Sequence, residues 1–172
     1  KELEDIARES EKTNRDIKRR VDEVRKTIED LLRRIDEEVK RAAEESKDTN
    51  RRIREEDRRK EEVEKLLRDD NKRIDDMLER LRKLLEEVER RLDKALKDLE
   101  KLIRDDKERI DRLLRSEDLM RKLKREVEET DKEIKDIIRR LKEEIEKIKR
   151  KIEEIIKKLK KENEDTRREA DK

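Results

Sequence analysis

Apolar residues along this chain fall on a single stripe that the sequence carries from end to end. In the first third they stand at Ile17, Val21, Val24, Ile28, Leu31, Ile35, Val39 and Ala42, and Ser46, Thr49 and Ile53 continue the same phase. Steps of four and three alternate, with a doubled four after Ile35 that recurs after Leu81 and Leu99 and again after Ile134 and Ile152, each pair 18 residues apart. Eighteen residues make five turns of an ideal α-helix, so the stripe keeps one face without drifting. A strict heptad would impose a left-handed supercoil and an 11-residue repeat a right-handed one. The pattern therefore predicts nearly straight helices.

Neighbouring pairs such as Leu31-Leu32, Leu66-Leu67, Leu84-Leu85, Leu102-Ile103, Ile137-Ile138 and Ile155-Ile156 widen the stripe. A face of that width suits a helix with two partners rather than one. The stripe is broken most clearly by the nine residues REEDRRKEE between Ile53 and Val63, which suit a turn near Asp57 to Lys60. A weaker break is RSED at 115–118, where Ser116 can cap a helix whose first turn carries Glu117 and Asp118. The expected organisation is one helical-bundle domain over residues 1–172, with helices at about 2–56, 60–115 and 118–170. The expected fold class is all-α: a monomeric, antiparallel, up-down-up three-helix bundle of long, nearly straight helices.

Polar residues interrupt the core phase in a repeating way. Ser10, Thr13 and Asn14 recur as Ser46, Thr49 and Asn50, 36 residues on; Asp70 recurs as Asp106, and Thr130 as Thr166, at the same distance. Folding the chain near residues 59 and 118 brings these positions into two layers. One would hold Ser10, Thr13, Asn14, Asp106 and Thr130, and the other Ser46, Thr49, Asn50, Asp70 and Thr166. Buried hydroxyls, amides and carboxylates cost about 1–3 kcal/mol each when unpaired, so they are expected to bond with one another. Such a layer penalises one helix sliding past another, because a slipped register buries the same groups without partners.

Composition narrows the chemistry. The chain has 172 residues, 65% of them charged and 28% hydrophobic, with no Gly, Pro, Cys, His, Phe, Trp or Tyr. Its Glu, Lys, Arg, Leu and Ile are mostly good helix formers, and 57 basic residues nearly cancel 55 acidic ones. Lacking His and Cys, it offers no imidazole base, thiolate, structural zinc site, disulfide or haem ligand. Lacking Gly and aromatics, it offers no phosphate-cradling loop and no base-stacking platform. Ser, Asp and Thr have no base beside them to activate a hydroxyl, so no catalytic residues and no enzyme activity are expected.

The acidic pairs Asp69-Asp70, Asp75-Asp76 and Asp105-Asp106 fit neither a calcium loop nor a Glu-x-x-His di-metal motif, so no metal and no cofactor are expected. The basic stretch KEEIEKIKRKIEEIIKKLKK is balanced by Glu143, Glu146, Glu153 and Glu154, each four residues before a Lys or Arg. Residues 1–57 carry 17 basic and 19 acidic side chains, and 58–116 and 117–172 carry 20 and 18 each, so nucleic acid is not an expected partner. No apolar run approaches a membrane span, and KELEDIARES lacks the apolar core of a signal peptide, so a soluble, cytoplasmic setting on recombinant expression is expected. No partner is expected beyond possible self-association.

With its 18-residue repeat, balanced Glu/Lys/Arg surface and repeated polar layers, the whole chain resembles parametrically designed helical bundles of the untwisted, antiparallel three-helix type with buried hydrogen-bond networks. The resemblance implies a stably folding scaffold with no natural biochemical function. It also implies loops that usually contain Gly, which this chain lacks, so any left-handed helix cap here would fall on a non-Gly residue. The competing expectation is a coiled-coil rod or charged single helix serving as a spacer or dimerisation module. A continuous helix of this length would span about 260 Å at 1.5 Å per residue and leave its apolar stripe in water.

Overall fold

The computed structural model of the chain describes residues 2–56, 58–112 and 117–171. They form α1 (Glu2–Glu55), α2 (Lys60–Asp111) and α3 (Glu117–Asp171), and no strand occurs among them. The protein is an all-α three-helix bundle, and the break between Glu55 and Lys60 excludes one continuous helix. Acidic side chains sit in the first turns of α2 (Glu61, Glu62) and α3 (Glu117, Asp118), and basic ones in the last turns of α1 (Arg52, Arg54) and α2 (Arg109). Each sign opposes the helix dipole at its end, worth about 0.3–1 kcal/mol per site.

The first turn closes without glycine. Glu56 N–H still donates to the Arg52 carbonyl (3.0 Å), the Arg58 guanidinium bonds the Glu56 carboxylate (2.8 Å), and the Arg59 carbonyl accepts from Val63 N–H (3.1 Å) to start α2. No described residue has positive φ, so none pays for a left-handed cap. Asp57 lies outside the described residues, as does the segment 113–116, which includes Arg115 and Ser116 of the second turn expected at 115–118; Glu117 and Asp118 of that window already open α3. Before that segment α2 ends at Asp111, and Arg112 N–H donates to the Arg109 carbonyl (3.2 Å) in a tighter, three-residue closure.

Contacts divide the chain into two compact units, one of residues 1–29 and 88–143 and the other of residues 30–87 and 144–172. In the first unit, Ser10 meets Asp106 and Glu9 meets Arg109, so α1 and α2 run antiparallel. Lys124–Asp111 (2.7 Å) and Lys142–Asp93 (3.6 Å) set α3 antiparallel to α2. Its core is built from Ile17, Ile28, Leu92, Ile110, Leu123 and Ile134 with their neighbours, each at most 2% exposed. A fully buried Leu or Ile side chain contributes about 1.5–3 kcal/mol, so these layers carry most of the favourable energy.

In the second unit, α3 runs parallel to α1 through Lys151–Asp36 (3.2 Å) and Arg54–Glu169 (3.3 Å), and antiparallel to α2 through Lys160–Asp75 (2.6 Å). Ile35, Val39, Ile74, Leu81, Ile145 and Ile152 fill its core. A smaller cluster of Ile53, Val63 and Leu67 sits beside the first turn, with Leu66 packed against it. In all six apolar pairs named above the second residue is buried and the first only partly so, which makes the first the flank of the stripe. Thus Leu32 rather than Leu31 enters the core, and Val24 and Ala42 are likewise half-buried.

Surface ion pairs use both helical steps, four residues as at Asp36–Lys40 (3.1 Å) and Asp131–Lys135 (3.1 Å), and three. Several join an Asp to the Arg three residues on, as at Asp22–Arg25 (3.4 Å) and Asp136–Arg139 (3.6 Å), and Glu146 pairs with Lys149 (3.6 Å) instead of Arg150. Exposed pairs of this kind contribute about 0–1 kcal/mol each.

Candidate functional site

The densest polar cluster lies in the second unit, where the stripe of each helix exchanges apolar residues for hydrogen-bonding ones. Ser46 and Asn50 come from α1, Asp70 and Asn71 from α2, and Asn163 and Thr166 from α3. Ser46, Asn50, Asp70, Asn163 and Thr166 are all buried. The Ser46 hydroxyl donates to Asp70 Oδ2 (2.8 Å), and Asn163 Nδ2 donates to the same oxygen (2.8 Å) and to Asn71 Oδ1 (2.8 Å). Asn50 Nδ2 donates to Asn163 Oδ1 (2.8 Å) and to the Ser46 carbonyl (2.8 Å), while Asn50 Oδ1 accepts from the Thr166 hydroxyl. Arg73 reaches the other Asp70 oxygen from the rim at 3.4 Å. Both oxygens of the buried carboxylate thus face donors.

The first unit holds the 36-residue counterpart, and it is wired differently. The Ser10 hydroxyl donates to Asp106 Oδ2 (3.1 Å). Arg109 donates to Thr13 Oγ1 (3.1 Å), pairs with Glu9 (3.4 Å), and lies 3.8 Å from Asp106 Oδ1. The Thr130 hydroxyl, buried, turns back to its own helix and donates to the Glu126 carbonyl (3.0 Å). Asp106 Oδ1 and Asn14 Oδ1 are buried acceptors without a hydrogen bond. Burial pushes the Asp106 carboxyl above the usual aspartate range, against the opposing pull of the Ser10 hydroxyl and the Arg109 charge. By contrast, the surface carboxylate Asp36 is held below that range, first by Lys40 and then by Lys151.

Of the ten polar positions expected in layers, Ser10, Ser46, Asn50, Asp70, Asp106, Thr130 and Thr166 are buried, and Thr13, Asn14 and Thr49 are half-buried. Thr49 donates to the Glu45 carbonyl on its own helix (3.0 Å). Asn163 and Asn71 were not anticipated. Asn163 is the centre of the second unit's network, and the signal for it was present: continuing the α3 stripe by four from Leu159 lands on it, and three more reach Thr166. Thirty-six residues earlier the same position is Val127, so the internal repeat did not mark it.

No family model and no curated protein matches the chain. A solved structure described as "Computationally designed three helix bundle" is similar to it. The two share 21% identity, the match covers 99% of this chain and 87% of that one, and the TM-score is 0.47.

The remaining features are chemically quiet. Asp69, Asp75, Asp76 and Asp105 point to solvent, and among the described residues no group of three or more acidic side chains is placed to hold a metal ion. No helix of the described residues is long and apolar enough to cross a membrane. A groove of about 660 Å³ in the second unit opens where Ala42 stands against Ile74 and Met77. Its rim alternates Arg41, Arg73, Arg80 and Lys83 with Glu38, Glu45, Asp76 and Glu79, so neither sign dominates.

Proposed function

We propose that this chain is a designed structural scaffold, with no natural substrate, whose buried polar layers fix the register of its helices. The observation that carries the reading is the closed network of Ser46, Asn50, Asp70, Asn163 and Thr166, in which donors and acceptors from three helices are used on one another and little is left for a ligand. The 18-residue period and the 36-residue duplication of Ser-x-x-Thr-Asn support it, as does a surface of nearly balanced Glu, Lys and Arg. On this reading residues 1–172 act as one monomeric, soluble domain of untwisted helices, without enzymatic activity, cofactor or nucleic-acid partner.

Calorimetric titration with zinc, calcium, ATP and duplex DNA tests it. No saturable signal tighter than about millimolar, roughly −4 kcal/mol, is expected at physiological salt. A micromolar isotherm for any of the four would overturn the proposal.

A further inference from the structure

The first unit contains a carboxyl group whose surroundings are incomplete for a charge. Asp106 is 1% exposed, yet the one short hydrogen bond to it is from Ser10, at 3.1 Å to Oδ2. Oδ1 has none, and the nearby Asn14 position adds a second buried acceptor that likewise lacks a donor. Arg109 approaches Oδ1 only to 3.8 Å, because its guanidinium is shared with Thr13 and Glu9.

The groups facing Asp106 are few. From α1 come Ser10 and, through Arg109, Glu9. From α2 itself comes Arg109. The Lys124–Asp111 and Lys142–Asp93 pairs bring Thr130 of α3 to the level of Asp106, with Val127 one turn earlier, and neither carries charge. The half-buried Asp131 beside them is paired with Lys135 at 3.1 Å. A charged carboxylate in such a place lacks the donors that would replace its water, whereas a protonated one needs fewer and supplies a donor of its own.

We propose that Asp106 is a proton-uptake site: folding of the first unit draws a proton onto this carboxyl, so its contribution to stability is greatest in mild acid and is lost as the solution is made neutral. The direction follows from linkage. Asp106 is held above the aspartate range by burial, so the folded chain binds the proton more strongly than the unfolded one. The stabilisation is complete below the unfolded value of about 3.9 and is lost as pH rises through the folded value.

The test is a carboxyl-carbon NMR titration of the wild-type chain, joined to urea unfolding at pH 4 and pH 7.5 for wild type, Asp106→Asn and the exposed neighbour variant Asp105→Asn. Asp106 is expected to titrate with a midpoint above about 3.9, and each pH unit of that excess lowers the folding constant about tenfold between the acid and neutral limits. Asp106→Asn, which cannot take the proton, is expected to lose that part of the pH dependence, while Asp105→Asn tracks wild type. An Asp106 midpoint at or below about 3.9, or identical pH dependence of wild type and Asp106→Asn, would overturn the proposal. If Asp106→Asn does not fold, the NMR midpoint alone decides.

Discussion

The Ser46–Asp70 layer and the Ser10–Asp106 layer start from the same residue types 36 positions apart, and they end with opposite hydrogen-bond balances. In the second unit Asn163 delivers two donor hydrogens and one acceptor where three helices meet, and the carboxylate is surrounded. In the first unit Val127 stands in that place, and two acceptors are left over. The exchange of Asn163 for Val127 on α3, with Asn71 for Lys107 on α2, separates a closed network from an open one. The lesson is that a buried carboxylate depends on its full complement of donors more than on any one strong contact: Arg73 and Arg109 stand in the same relation to the two carboxylates, yet neither supplies a short bond.

The comparison can be broken most forcibly at its acceptor. Asp70→Ala leaves the Ser46 hydroxyl and an Asn163 hydrogen unpaired, and is expected to lower stability by about 3 kcal/mol, the upper end for stranded buried groups. Its exposed neighbour variant Asp69→Ala should stay within about 0.5 kcal/mol of wild type. Guanidinium midpoints of the two variants measure the difference, and equal midpoints would mean that the layer's bonds contribute nothing.

The reciprocal exchange of the α3 residue is the sharper but smaller test. Asn163→Val makes the second unit resemble the first and should cost about 2 kcal/mol, since Asn50 loses a partner and Asp70 a donor. Val127→Asn does the reverse, offering an amide to acceptors that have none, and is expected to raise stability by about 1 kcal/mol. Thermal unfolding of both variants beside wild type checks the signs. A loss for Val127→Asn would mean that the two layers do not share a geometry.

Much of this was legible in the chain. The stripe located the three helices, and the 36-residue recurrence of Ser, Asn and Asp pointed to Ser10, Ser46, Asn50, Asp70 and Asp106, which are buried, and to Asn14, which is half-buried. What the recurrence could not convey was the difference between the layers, because the deciding positions hold Asn163 against Val127 and Asn71 against Lys107. It also could not choose between Thr49 and Asn50, which sit 100° apart on the helix and both near the stripe; Thr49, with a hydroxyl able to bond its own turn, takes the flank. The break RSED at 115–118 placed the end of α2 at about 115, and the last described helical residue before it is Asp111.

The small cluster of Ile53, Val63 and Leu67 beside the first turn carries a consequence for how the chain finds its fold. Ser46 and Asp70 are 24 residues apart along the chain, whereas Ser10 and Asp106 are 96 apart and Asn50 and Thr166 are 116 apart. Closing either of the longer loops from an open chain costs about 1 kcal/mol more entropy. Chain closure therefore favours the α1–α2 hairpin as the starting point, with the cluster as its first apolar contact and Asn50 waiting for α3. Ile53→Val should accordingly slow refolding in proportion to the stability it removes, and Ile17→Val should mainly speed unfolding. Stopped-flow measurement of both variants would reveal the reverse pattern if the helices instead assembled from their far ends.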